Sequence, residues 1–131
     1  MTDREGLVLR EDKGPLTILT LNRPEKLNSL NVKTFQSLRQ HVLHIGKDDS
    51  VHCVVLRGAG KCFSAGHDLA DIAEGESTPS PGWHSETLRL MEKLPKPVIA
   101  AVHSHCYTGA LEVALAADFI FAADNARFAD T

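Results

Sequence analysis

The chain has no apolar run long enough to cross a membrane, and no apolar signal region follows Met1-Thr2-Asp3-Arg4-Glu5. It therefore reads as having neither a span nor a leader. It also lacks an excess of positive charge, with a formal net charge of -3. General nucleic-acid binders are usually basic, so no nucleic-acid partner is expected. Cysteine is scarce. Cys53, Cys62 and Cys106 cannot all pair within one chain, and none has zinc-finger spacing. They read as reduced thiols in a cytosol-like compartment, which predicts a cytoplasmic protein. Cys53, inside an apolar run, reads as a small core residue.

What is present suits one globular domain. The 131 residues are an ordinary domain length, and an apolar content of 43% allows a real core. Leu7–Glu11 and Leu16–Leu21 read as strands joined by a turn at Asp12-Lys13-Gly14-Pro15. Asn31 suits a helix N-cap. Behind it Phe35, Leu38, Val42 and Ile45 recur at spacings of three and four, which makes one apolar helical face, and Gly46 is the stop signal. His52–Arg57 reads as a buried strand. The polar stretch Glu74–Gly82 reads as a mobile surface loop. A second amphipathic helix is expected over Trp83–Leu94, with Trp83, Thr87, Leu90, Met91 and Leu94 inside and Pro95-Lys96-Pro97 ending it. Val98–Val102 is another strand. Gly109–Ala117 reads as a helix so apolar that it must be buried nearly all round. Asp118–Ala123 and Ala126–Ala129 finish as strands around Asp124-Asn125. Alternating strands and helices predict an α/β fold with buried parallel strands.

Two places carry chemistry. After the buried strand, Gly58, Ala59 and Gly60 break the chain, and Ser64-Ala65-Gly66 leads into a helix start with Asp68 and Asp71 in its first turn. Small residues there let a ligand approach the backbone, and the following N–H groups can face an anionic oxygen. An ordinary strand-turn-helix joint fits the same residues. The second place is Glu112, a lone carboxylate among Ala110, Leu111, Val113, Ala114 and Leu115. If buried, it must be partnered, protonated or set at a cavity, and burial would raise its pKa toward proton transfer. A narrow solvent-facing stripe would also accommodate it. Gly109 starts the same helix, where its N–H is among the free donors. His103, His105 and Cys106 match no usual zinc spacing, so no metal site is expected. Cys62 with His67 hints at a thiol nucleophile, against packing of Cys62 beside Phe63. Arg23 and Lys26 read as solvated loop charges unless a polyanionic ligand lies nearby.

Three segments together resemble the signatures of the enoyl-CoA hydratase/isomerase (crotonase) family. They are Leu21-Asn22-Arg23-Pro24-Glu25-Lys26-Leu27-Asn28-Ser29-Leu30, then Val54–Gly60 with Phe63–Leu69, then Lys96–Val102 with Gly109–Asp118. Their order and spacing agree over nearly the whole chain. The resemblance implies a crotonase-like spiral of strand-strand-helix (ββα) repeats, with residues 1–131 as an acyl-CoA-binding core. It implies that the backbone N–H groups of His67 and Gly109 polarise a thioester carbonyl and that Glu112 is a catalytic acid/base. It assigns substrate contacts to Lys26, Leu27, Ser64, Ala65, Asp68 and Leu69, with Thr108 joining that set beside Gly109. It implies no cofactor beyond the coenzyme A of the substrate, and a homo-oligomer, trimer or hexamer, in the complete form.

The sequence also departs from that pattern. Ser104 stands where the family has glycine, and Thr108 and Ala110 flank Gly109 in place of a glycine-rich run, which predicts a narrower acyl pocket. Asp130-Thr131 stops just short of the position of a second glutamate. The sequence therefore reads as truncated before the C-terminal helical part. The leading expectation is an enoyl-CoA hydratase-like lyase of fatty acid metabolism. The alternatives are another crotonase-type reaction (isomerase, hydrolase, decarboxylase) and a non-catalytic acyl-CoA-binding subunit.

Overall fold

In the computed structural model, residues 6–75 and 78–130 are described. The side chains of Asp71, Ile72 and Glu74 are not, and part of the Glu74–Gly82 loop lies outside the described set, while the backbone of Asp71 falls in the first turn of the helix Leu69–Glu74, as expected.

β1 (Val8–Lys13) and β2 (Leu16–Leu21) form an antiparallel hairpin in which Val8 faces Leu21 and Lys13 faces Leu16. The expected turn is thereby cut to Gly14-Pro15, because Asp12 and Lys13 still pair. β3 (Cys53–Gly58), β4 (Val98–Val102) and β6 (Phe119–Ala122) join β2 in parallel, giving the sheet order β1-β2-β3-β4-β6. β3 reaches one residue further than expected, since Gly58 pairs with Leu21. A small second sheet pairs β5 (His105–Tyr107) with β7 (Arg127–Ala129). Parallel neighbours need crossovers, and the helices supply them.

α1 (Val32–Gly46) joins β2 to β3. The Asn31 side chain caps it by accepting from the Thr34 amide at 2.8 Å. Phe35, Leu38, Val42 and Ile45 are buried as the spacing predicted, and Thr34 and His41 are buried with them. The His41 imidazole reaches the Val8 carbonyl at 2.8 Å, so Nε2 donates and ties helix to hairpin. Arg10 lies buried in β1 and is neutralised by Asp12 at 3.0 Å and Asp48 at 3.2 Å, the pairing that a buried guanidinium needs. The Lys96 ammonium donates to the Ile45 carbonyl at 2.6 Å and to that of Asp48, closing the end of α1.

α2 (Leu69–Glu74) and α3 (Trp83–Glu92) follow β3. α3 is shorter than expected because Lys93 already caps it through the Arg89 carbonyl. On its inner side Thr87 and Met91 are buried, while Trp83, Leu90 and Leu94 are half-buried. Cys53 is likewise half-buried rather than core.

α4 (Gly109–Leu115) corrects one expectation outright. It is two residues shorter than predicted and is not buried all round. Ala110, Val113 and Ala114 face inward, whereas Leu115 is 64% exposed and Glu112 lies on the same open side. Seven residues make barely two turns, so one face packs on the sheet and the other cannot.

Candidate active site

The parallel strands β2, β3 and β4 all point their carboxyl ends toward one crevice, the usual place for a ligand in an α/β sheet. Three segments meet there. The first follows β2, where a 3₁₀ turn at Pro24–Lys26 leads into Leu27 and Asn28, both left-handed at φ 52° and 53°. Asparagine tolerates that conformation, and here it also brackets two loops. Its Oδ1 accepts from the Arg23 amide at 2.8 Å, and its Nδ2 donates to the carbonyls of Ala59 at 2.8 Å and Cys62 at 3.0 Å.

The second segment, Ala59–Asp68, follows β3 and is laced to the first. The Leu30 amide donates to the Gly66 carbonyl, the Ala65 amide to the Leu27 carbonyl and the Asp68 amide to the Leu30 carbonyl. Ser64 has no exposed surface; its hydroxyl donates to the Asn28 carbonyl at 2.7 Å and accepts from the Gly66 amide at 3.1 Å. Arg23 is not a solvated loop charge, as the sequence suggested. Its guanidinium pairs with Asp68 at 2.8 Å and also donates to the Ser29 carbonyl. The other Asp68 oxygen accepts from the Ala70 amide, capping the entry to α2.

The third segment is Tyr107-Thr108-Gly109. Ser64 bridges Cys106, and Gly66 lies against this segment so closely that a Cβ on it would fall 2.6 Å from the Tyr107 carbonyl. Only glycine fits, and its φ of +99° requires glycine too. Thr108 sits at φ 47°, ψ -108°, a strained conformation that aims the first turn of α4 into the crevice. A Cβ on Gly109 would stand 3.8 Å from the His67 backbone nitrogen and 3.5 Å from its ring Nδ1. Two segments far apart in sequence thus bring the His67 and Gly109 peptides into near contact. Glu112 lies one turn along α4, exposed, beside a groove of about 360 Å³ lined also by Ser85, Arg89 and Glu92.

A sequence model described as enoyl-CoA hydratase/isomerase matches residues 11–131. The chain belongs to that family. It is 37% identical to 1,2-epoxyphenylacetyl-CoA isomerase of Escherichia coli (strain K12), over 95% of this chain and 50% of the relative. It is 42% identical to the carnitinyl-CoA dehydratase of Citrobacter koseri, over 88% of this chain and 45% of the relative. Its fold matches the crystal structure of an enoyl-CoA hydratase/isomerase from Xanthobacter autotrophicus Py2 with a TM-score of 0.89 at 33% identity, covering 95% of this chain and 49% of that one. The crotonase fold expected from the sequence is therefore the fold observed. The chain spans about half the length of the relatives it matches.

Within this family member, the anticipated site residues separate into three groups. His67 and Gly109 come together, and Ala65, two residues before His67, is half-buried. Ser64 and Asp68 are buried braces of the same loops. Lys26, Leu27 and Leu69 are exposed on the outer rim, and Leu69 is 79% exposed. Asn28 is the residue that sequence reasoning missed; its signal was a turn-forming asparagine inside the first signature. Among the described residues, no three His, Cys, Asp or Glu side chains are placed to hold a metal, and no helix is long and apolar enough to cross a membrane. His103 instead bonds the Gly60 carbonyl at 2.8 Å, and the His105 ring stacks on Tyr107 at 4.8 Å.

The buried thiols of Cys62 and Cys106 are ill suited to nucleophilic chemistry. Burial raises the Cys62 thiol, which donates to the Leu27 carbonyl, and burial pushes Cys106 up to about 11. At pH 8 iodoacetamide is expected to label half-buried Cys53 first and to spare Cys62 and Cys106 until the protein unfolds. Rapid native labelling of Cys62, read by peptide mass, would revive the thiol-nucleophile reading.

Proposed function

We propose that the protein acts on acyl-CoA thioesters as an enoyl-CoA hydratase-like lyase. The thioester carbonyl oxygen lies between the amides of His67 and Gly109, which stabilise the enolate formed as a proton moves or water adds next to the thioester. Glu112 positions that water or carries the proton. The observation that supports this reading is that the His67 backbone nitrogen lies 3.8 Å from the point where a Cβ on Gly109 would stand. Gly109 is also the first residue of α4, ahead of the helix's own hydrogen bonds. Coenzyme A, as part of the substrate and the only cofactor, lies along the rim of Lys26, Leu27, Ala65 and Leu69, with Ser64, Asp68 and Thr108 holding that rim in place. Both relatives described above carry a CoA ester in their names. The complete protein assembles as a trimer or a pair of trimers, in the cytoplasm.

A panel of enoyl-, malonyl- and aryl-CoA thioesters, read by product mass, tests this. Gain of one water on an enoyl-CoA is the expected result; a panel in which no ester is bound or changed would end the proposal. Exposure of Glu112 favours a second reading, an acyl-CoA-binding subunit without turnover. Calorimetric binding of the esters with no product from any of them would select it.

A further inference from the structure

Two buried side chains tie together the three segments that meet at the candidate site. Asn28, in the loop after β2, is 1% exposed. Its side-chain amide donates to the carbonyls of Ala59 and Cys62 and accepts from the Arg23 amide, which uses both of its N–H groups and its oxygen. The turn after β3 is thus held at both ends by one residue of the neighbouring loop. Two residues past Cys62, Ser64 has no exposed surface. Its hydroxyl donates to the Asn28 carbonyl at 2.7 Å and accepts from the Gly66 amide at 3.1 Å. Its backbone is fixed against β5: the Ser64 amide donates to the His105 carbonyl at 2.9 Å, and the Ser64 carbonyl accepts from the Tyr107 amide at 3.3 Å. Gly66 immediately precedes His67, and Tyr107 stands two residues before Gly109. The peptides of His67 and Gly109 are therefore both reached from Ser64, and Ser64 is held by Asn28.

We infer that Asn28 is a positioning residue: acting through Ser64, it sets the spacing of the His67 and Gly109 amides without touching the thioester. The inference rests on the acyl-CoA reading above and goes beyond it by naming what holds the pair in register. Two donors polarise one oxygen only when both lie within hydrogen-bond distance of the same point, so a shift of either segment weakens the pair. Asparagine suits position 28 for two reasons. Its backbone is left-handed there, at φ 53°, which asparagine tolerates better than most residues. Its amide brings two donors to two carbonyls, where an aspartate would bring only acceptors. Removing that amide leaves the Ala59 and Cys62 carbonyls without this donor, and the turn that carries Ser64 must move to find another.

The test reads the bound carbonyl itself. Hexanoyl-CoA, isotope-labelled at its carbonyl carbon, is saturated and binds without adding water. Its C=O stretch falls in frequency as hydrogen bonds to the oxygen strengthen. Infrared difference spectra of the bound ester are recorded for the wild type, Asn28→Gly, Ser64→Ala and Asn22→Ala, with a urea midpoint for each. Glycine keeps the left-handed backbone and the carbonyl that holds Ser64, and removes only the side-chain amide. Asn22 is the control, since its amide follows the same strand but bonds the Gly6 carbonyl at 3.2 Å. The wild type is expected to lower the band. Asn28→Gly and Ser64→Ala are expected to keep about half of that shift or less while still binding the ester, and Asn22→Ala to keep all of it. A purely structural role for Asn28 would lower the urea midpoint and leave the band of the bound ester at its wild-type position, and that result overturns the inference while the acyl-CoA reading stands. An equal loss of shift in Asn22→Ala overturns it as well, since any loosening of the first loop would then suffice. Should Asn28→Gly fail to fold, Ser64→Ala decides: a full shift overturns the inference and a reduced one upholds it. A wild type that binds no hexanoyl-CoA, or leaves its band unmoved, overturns the reading of His67 and Gly109 as carbonyl donors, and this inference with it.

Discussion

Glu112→Gln is expected to lower turnover of every accepted thioester by at least about a hundredfold while acyl-CoA affinity stays nearly constant. Glutamine preserves the shape and the hydrogen-bonding reach of the side chain but cannot take or give the proton. General acid-base groups commonly contribute about 10² to 10⁴ in rate, so the loss belongs in kcat and not in KM. The exposed setting of Glu112 gives the experiment its interest. An open carboxylate faces bulk water, whereas one covered by a seated acyl group works in a drier site where its charge and proton count for more. Glu112 shares its face of α4 with Gly109, three residues earlier, so a thioester held at the Gly109 amide lies over the carboxylate's side of the helix. Steady-state rates with tight-binding controls decide the matter. Unchanged turnover in Glu112→Gln would remove Glu112 from the chemistry and shift weight to the binding-subunit reading.

Gly66→Ala is expected to cost about 2–4 kcal/mol of stability, from added strain and overpacking, and to abolish most turnover although the residue need never touch substrate. At Gly66 the new methyl would lie 2.5 Å from the Thr108 hydroxyl and 2.6 Å from the Tyr107 carbonyl, at a φ of +99° that alanine avoids. The hydroxyl can rotate away. The carbonyl cannot, because its chain is paired on both sides: β5 runs beside β7, and Ser64 bridges Cys106. The two segments must therefore separate, and the separation opens the space between the His67 and Gly109 amides. A misplacement of about 1 Å in such a pair costs on the order of a hundredfold in rate. Gly14→Ala is the matched control, since Gly14 also has a positive φ, +60°, but nothing within 4 Å of its would-be Cβ. It should lose about 1 kcal/mol from the left-handed backbone alone and keep full activity. Urea midpoints and kcat/KM for the two variants separate strain from displacement; wild-type turnover in Gly66→Ala would show that the spacing of the two amides is immaterial.

The residues by themselves determined several of the elements that depend on short-range order. The 3-4 spacing of Phe35, Leu38, Val42 and Ile45, capped by Asn31, specified α1, and the apolar run Val98–Val102 specified β4 to the residue. Glycine and proline marked the hairpin turn, and the signature segments identified the family and, through it, the crotonase fold. Periodicity works there because a helix or strand is built from neighbours, so each residue's face follows from its position. Only the tertiary structure decided how distant loops meet. Arg23 reads as a surface charge until Asp68, 45 residues on, comes within 2.8 Å. Asn28 reads as a turn residue until its amide bridges the carbonyls of Ala59 and Cys62. The apolar sequence around Glu112 suggested burial, yet a seven-residue helix laid against one sheet leaves that side open. The ring cluster of Phe35, His84 and His67, with centroids 4.1, 5.0 and 6.3 Å apart, appears in no local pattern either. Pairings of this kind depend on the relative placement of elements, which the packing of α1, α3 and the loop after β3 sets and no run of adjacent residues encodes.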